Sequence, residues 1–557
     1  VYLWVWLLQL ASIKFFIGIT HHHISSDGIG YYEYLPSLFI YHDFGKNNQI
    51  TYNYQRKDTT IGYVDINGYK VIKYPVGVSV LLSPFFSIAY LIEYLKGTSS
   101  ITGYESTFQE LIWIGAQCYF LLTLYLLQQI LQKLLFSYNT QWFILLALGL
   151  ATNTIHYLNG ETAFSHVYGQ FLVTVFIYLF VHFKQTAFYY SLISLTTGLL
   201  FLTRPNDLLI VLFIPYLLNN RQKTYYFFKT LFSKPSHLFS LVVPLVGCVL
   251  LQLFLWYLQS KKYWIDTYKN EHFNFSNPHI IEVLFSYEKG LFVYTPVLLL
   301  LIPSVIVLFW KKLFYRAIAA TAFFSSIIYV LSSWEVWWYN CGYGQRAFID
   351  FYAGIFLVIA FFVEKSTLLI KRLLWLFLVL VILINNIQAR QYRLHIFNWE
   401  KMDKVKYWNV FLSNSNRFIG FNYKKEYQFN QYRLVWAKKF SDTIIPQNQT
   451  LCLTNSFKEK LTLTKKWILK FSVVNNFERS NRALVKIALL KNKRFIYNKQ
   501  ILFTNLSNTF LGVKQYGYYV FEINDTSIQP NQVQICIVAK NMPVVLEKPT
   551  LSIREIK

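Results

Sequence analysis

Four stretches of this chain gather carboxylates, cations and aromatic rings. The first runs from Thr20 to Tyr74 and opens His21-His22-His23, with Asp27, Tyr31 and Glu33 close behind. The second is His156-Tyr157-Leu158-Asn159-Gly160-Glu161, followed by Ser165, His166 and Tyr168. The third is Arg204-Pro205-Asn206-Asp207, and the last runs from Trp334 through Trp337 and Trp338 to Gly344-Gln345-Arg346. Transfer of a sugar from a lipid-linked phosphate at a membrane surface needs these residue types. A carboxylate (Asp27, Glu33 or Glu161) acts as base on the acceptor or steadies an oxocarbenium-like charge. A cation (Arg204 or Arg346, with Lys289 as a further candidate) holds the leaving phosphate, best through the forked donors of Arg. Aromatic rings (Tyr31, Trp334, Trp337, Trp338) stack on sugar faces, and His166 is a further polar contact.

Each of these residues also has a plainer reading. Asp27-Gly28 is a common turn dipeptide. Glu161 and His166 form either an acid–base couple or a pair capping the neighbouring helix. Arg204 is either a phosphate ligand or an interfacial anchor paired with Asp207. The tryptophans suit an aromatic belt as well as a site. His21–His23 have ligand chemistry without ligand spacing, and the five cysteines show no metal pattern, so neither a metal nor another cofactor is indicated.

Apolar segments must carry these stretches. Of the 557 residues, 54% are hydrophobic and only 14% charged, against about 25% charged in a soluble chain. Spanning candidates are Val1–Ile19, Phe108–Leu135, Gln141–Leu158, His166–Phe183, Ala187–Thr203, Asp207–Leu218, Leu238–Gln259, Leu291–Trp310, Leu313–Leu331, Phe348–Val363 and Leu368–Asn386. That composition excludes a soluble single-core enzyme and a disulfide-rich secreted chain. Val76–Leu95 is also apolar, but its prolines and flanking tyrosines suit a segment lying at the interface. With eleven crossings, Lys133, Lys184, Arg221, Lys223, Lys229, Lys234, Lys311, Lys312, Arg316, Lys365, Lys371 and Arg372 crowd short loops on one side. The positive-inside rule makes that side cytoplasmic. Of the acids before Gln391 only Glu364 then lies inside, and the four chemistry-bearing loops share the outer face.

The order of these features resembles the GT-C superfamily of polytopic glycosyltransferases, including protein O-mannosyltransferases and the aminoarabinose transferase of lipid A. The resemblance rests on Asp27 directly after the first helix and on the interfacial stretch from Tyr74-Pro75. It rests also on the His156–His166 loop, Arg204-Pro205-Asn206, and the Trp-rich loop ending in Gly344-Gln345-Arg346. It covers residues 1–390. It implies a polyprenyl-phosphate sugar donor, a lipid, glycan or protein acceptor, and Asp27 as base or orienting group. The chain lacks the adjacent acidic pair found in the first loop of some members, which leaves a divalent metal possible but without support in the sequence.

Residues 391–557 are a different polymer. They carry more than half of the net charge of +26 and no spanning run. Alternating segments at Tyr432–Ala437, Thr450–Thr454, Trp467–Val474, Ala483–Leu490, Phe495–Phe503, Tyr516–Ile523, Val533–Val538 and Val544–Ile553 predict an antiparallel β-sandwich, jelly-roll-like. Trp467, Tyr518 and Tyr519 could stack on a sugar, although a docking role fits better. Cys452 and Cys536 could pair, but buried free thiols fit better. Three glycosylation-type triplets begin at Asn448, Asn505 and Asn524. No nucleic-acid motif accompanies the basic charge. The expectation is a mainly α membrane protein of about eleven crossings in a bacterial plasma membrane, surrounded by lipid, with an external β-rich tail. Its function would be glycosyl transfer; the alternative is a non-enzymatic lipid-linked glycan transporter or an envelope-polymer assembly protein.

Overall fold

A computed structural model describes residues 1–42, 44, 62–66, 68–269, 271–394, 396–397 and 402–413, and beyond these the strands of the tail with a few neighbours. The chain divides into two compact units, Val1–Arg390 and Gln391–Lys557.

The first unit is helical. Its long apolar runs form helices because a backbone without water must satisfy its own N–H and C=O groups. Among the described residues six helices are long and apolar enough to cross a membrane: Gly77–Leu95, Ser106–Lys133, Pro235–Ser260, Phe314–Ser332, Arg346–Lys365 and Leu368–Arg393. Shorter apolar helices are Tyr2–Ile17, Ser165–Val181, Ala187–Thr203, Pro205–Leu218 and Pro296–Trp310. Prolines explain the irregular ones. Pro205 opens a 3-10 stretch, Pro205–Phe213, before the α-helix Ile214–Leu218, and Pro296 does the same before Leu301–Trp310.

The helix ends fall into two groups. At one end Glu364 accepts from Ser137 Oγ (2.7 Å) and Thr140 Oγ1 (2.6 Å), Trp375 donates to Asn139 (3.0 Å), and Tyr315 donates to Thr224 (2.9 Å). At the other, Asn385 donates to the Leu150 and Thr152 carbonyls, both at 2.9 Å, and Asn159 donates to the Gly18 carbonyl at 2.8 Å. Asp27, Arg204 and Arg346 lie at this second end. Gly77–Leu95 has the length to cross, and its ends are held by two close contacts. A Cβ on Gly77 would sit 2.5 Å from the Leu202 carbonyl carbon. Past its far end, Lys96 donates to Thr107 at 2.8 Å.

A two-stranded hairpin, β1 (Tyr63–Ile66) and β2 (Tyr69–Ile72), precedes Gly77. Two glutamines on Pro235–Ser260 hold its exit. Gln259 accepts from Ile72 N (2.8 Å) and Gln252 from Val76 N (3.0 Å).

In the second unit each of the eight alternating segments is a strand, and Thr443–Ile445 adds a short one. In chain order they are β3 (Tyr432–Lys439), β4 (Thr443–Ile445), β5 (Thr450–Ser456), β6 (Trp467–Asn475), β7 (Leu484–Lys491), β8 (Arg494–Leu502), β9 (Gln515–Ile523), β10 (Gln532–Val538) and β11 (Val544–Ile556). They form antiparallel sheets in the orders β5-β10-β7-β8 and β3-β11-β6-β9, with β4 on β11. Cys452 and Cys536 face each other across β5 and β10 and form a disulfide, which corrects the expectation of buried free thiols. Alternation shows where strands are but not which become neighbours, and pairing placed these two thiols opposite one another. Trp467, Tyr518 and Tyr519 lie on the paired strands β6 and β9, but their side chains fall outside the described residues. Asn448, Asn505 and Asn524 fall outside them too.

Candidate active site

Asp27 begins the helix Asp27–Tyr32, directly after Ser26, whose φ is +50°. The segment before it is clamped in place. Gln109 Oε1 accepts from His23 N (2.8 Å) and Ile24 N (2.9 Å), and Asn159 Oδ1 accepts from Thr20 N (3.2 Å). Ser79 Oγ donates to the Tyr31 carbonyl at 2.5 Å and pins the helix beyond Asp27.

Arg346 arrives from the opposite end of the sequence. Gly342 and Gly344 take positive φ in the turn before it, where side chains are disfavoured. Buried Lys289 donates to the Gly342 carbonyl and fixes that turn. Arg346 is 8% exposed. Its Nη2 donates to Asp27 Oδ2 at 2.6 Å, and its guanidinium lies 5.0 Å from the Phe164 ring centre. Among the described residues its buried Nε and Nη1 have no hydrogen-bond partner.

Arg204 ends the helix Ala187–Thr203 in an extended conformation. Its Nη1 donates to Asp350 Oδ2 at 2.5 Å, and His166 Nδ1 stands 3.1 Å from Arg204 Nη1 and 3.2 Å from Asp350 Oδ1. Burial pulls the Arg204 pKa down, but the Asp350 and Asp207 carboxylates raise it further, so the guanidinium stays charged.

These groups line one cavity of about 410 Å³. Tyr31 and Tyr74 stack at 4.3 Å on one wall, and Tyr268 and Trp334 meet edge-on at 5.5 Å on another. Lys73 and Glu271 join across it at 3.0 Å. Burial pushes the Tyr31 phenol up to about 12 against the pull of Arg204, which leaves it a neutral donor. A carboxylate, two guanidinium groups and several rings thus share one concave space, the composition expected of a site for a sugar joined to an anion.

Other expected residues lie elsewhere. Glu33 is fully buried, with Tyr104 and Ser37 donating to it, and does not reach the cavity. Glu161 is also absent from the lining, and it pairs with His156 at 3.4 Å rather than with His166. Burial raises the Glu161 pKa, while His156, Arg346 and Lys289 more than offset this and hold it below the usual carboxylate range. Trp337 packs on His279 and Trp338, and neither tryptophan lines the cavity, whereas Trp334 does. Arg204 bonds Asp350 in place of Asp207. Lys289 supports the Gly342 turn from behind and is likewise outside the lining.

No family model matches the sequence, and no curated protein matches it significantly. Among solved structures the chain is similar to the archaeal oligosaccharyltransferase AglB of Archaeoglobus fulgidus, in complex with an inhibitory peptide and a dolichol-phosphate. The identity is 10% and the TM-score 0.39, over 74% of this chain and 59% of that one. It is also similar to the arabinosyltransferase EmbB of Mycobacterium smegmatis, at 10% identity and a TM-score of 0.35, over 98% of this chain and 64% of that one. Both neighbours are sugar transferases. The chain spans less than two thirds of the length of either.

Sequence reasoning missed Asp350, Tyr74, Tyr268 and the Lys73–Glu271 pair as parts of the cavity region. Asp350 had a signal, because an ionisable residue inside an apolar run is a functional candidate by default, and it lies within Phe348–Val363. Tyr268, Lys73 and Glu271 had none. They sit in ordinary polar loops and acquire meaning only by meeting at the cavity.

Proposed function

We propose that the cavity is the active site of an integral membrane glycosyltransferase of the GT-C type, using a polyprenyl-phosphate-linked sugar. One observation carries the reading: Asp27 is bound to Arg346 in the same cavity as Arg204 and stacked aromatic rings. The leaving phosphate binds against the guanidinium groups of Arg346 and Arg204, both of which line the cavity. Asp27 orients the acceptor hydroxyl and receives its proton as the oxygen attacks the anomeric carbon. The bond from that carbon to the phosphate oxygen breaks, and its electron pair stays with the phosphate. Tyr31, Tyr74 and Trp334 bracket the sugar. Glu33 and Glu161 are structural in this scheme.

The helix ends that carry the cavity face outward, opposite the Lys- and Arg-rich ends, and the tail folds on the outer side as a sandwich. Eleven crossings, with Gly77–Leu95 at the interface, give this parity. The transporter alternative requires ionisable groups in mid-membrane. Asp207 and Asp350 do lie inside apolar segments, but Asp207 belongs to the first turn of its segment and Asp350 to the 3-10 stretch Arg346–Phe351 that opens its own, beside Arg204.

The test is transfer of labelled sugar from a polyprenyl-phosphate donor by the full chain in nanodiscs. Asp27→Asn lowers turnover by about 10²–10⁴-fold. Wild-type turnover in this folded variant would sink the proposal.

A further inference from the structure

The geometry points to Asp350 as a positioning residue: it holds Arg204 and His166 from beneath so that the remaining guanidinium N–H groups of Arg204 face the cavity. This rests on the functional reading above. Asp350 is fully buried in the 3-10 stretch Arg346–Phe351 and does not line the cavity. Its two oxygens are divided between partners, Oδ2 to Arg204 Nη1 at 2.5 Å and Oδ1 to His166 Nδ1 at 3.2 Å. No other hydrogen bond of Arg204 involves Nε or Nη2 among the described residues. Below, fully buried Asp207 completes a stack of two carboxyl groups whose room depends on Gly169. A Cβ there would stand 2.8 Å from Asp207 Oδ2 and 3.0 Å from Asp350 Cγ.

Burying such a set stabilises a fold less than apolar packing of the same volume would, so its presence calls for a role in orientation. The arrangement supplies one: Arg204 is gripped by a single nitrogen and cannot turn away when the cavity is empty. A lone arginine at a helix end would otherwise snorkel.

The probe is farnesyl phosphate, with farnesol as the uncharged control, titrated onto the full chain in detergent. Arg204→Gln and Asp350→Asn each weaken farnesyl phosphate binding about tenfold or more. The double variant is no weaker than either single one, and farnesol binding does not change. Effects that multiply in the double variant, or wild-type affinity in folded Asp350→Asn, overturn the proposal. If Asp350→Asn does not fold, Gly169→Ala keeps every charge and presses on the same carboxyl groups; it should weaken binding severalfold, and unchanged affinity would refute the role. Should the wild-type chain bind farnesyl phosphate no better than farnesol, the functional reading fails and this inference falls with it. A wild type that discriminates, beside an unaffected Asp350→Asn, removes the positioning role alone.

Discussion

Lys289 shows how a residue can serve the cavity without lining it. Its ammonium is buried and bound to the Gly342 carbonyl, two residues before the Gly344 turn that aims Arg346. Burial, with Arg346 nearby, lowers its pKa to about 8. An unfolded lysine titrates near 10.4. Between these values the unfolded chain binds more protons than the folded one, so the Lys289 contribution to stability rises with pH across that window. Melting curves of the full chain at pH 7.5 and pH 10 therefore separate wild type from Lys289→Met, which loses that rise. Equal pH slopes in the two proteins would exclude the assignment. Arg346 is the complementary case, since it lines the cavity itself and its Nη2 donates to Asp27 there.

At the scale of elements, helices position and loops supply. Glutamines on two long helices, Gln109, Gln252 and Gln259, accept backbone N–H groups from the segment before Asp27 and from the exit of the hairpin. The helix Gly77–Leu95 begins where only glycine fits, against the carbonyl group of Leu202 beside Arg204. Gly77→Ala forces that backbone apart and costs about 1–3 kcal/mol. Thermal melting in detergent reads the loss, and a melting temperature equal to wild type would mean the contact is looser than described. Apolar periodicity and length made these helices legible from sequence, as alternation did the eight tail strands. Their contacts were not legible, because a glutamine in an apolar run does not say which distant backbone it reaches.

For the whole molecule, the Cys452–Cys536 disulfide and the charge of the loops bear on the same question. Disulfides persist in oxidising compartments, and the proposed topology puts the tail outside while Lys and Arg crowd the opposite loops. Cys118, Cys248 and Cys341 are free. Denatured under non-reducing conditions, the chain isolated from its membrane should titrate three thiols, and five after reduction. Five before reduction would place the tail in a reducing compartment and reverse the topology.

Composition, period and charge asymmetry determined most of the large-scale plan: the apolar helices, the strand-rich tail and the gathering of Asp27, Arg204, Trp334 and Arg346 on common loop ends. These are local or additive properties, readable wherever a window of sequence is long enough. Partner choice was decided only in three dimensions. Sequence offered Glu161 to His166 and Asp207 to Arg204, and ranked free thiols above a Cys452–Cys536 pair. Folding instead joined Glu161 to His156, Asp350 to Arg204 and the two cysteines to each other. The reason is physical. A hydrogen bond or ion pair forms over about 3 Å, and which side chains come that close depends on helix ends and strand registers set by the packing of segments hundreds of residues apart.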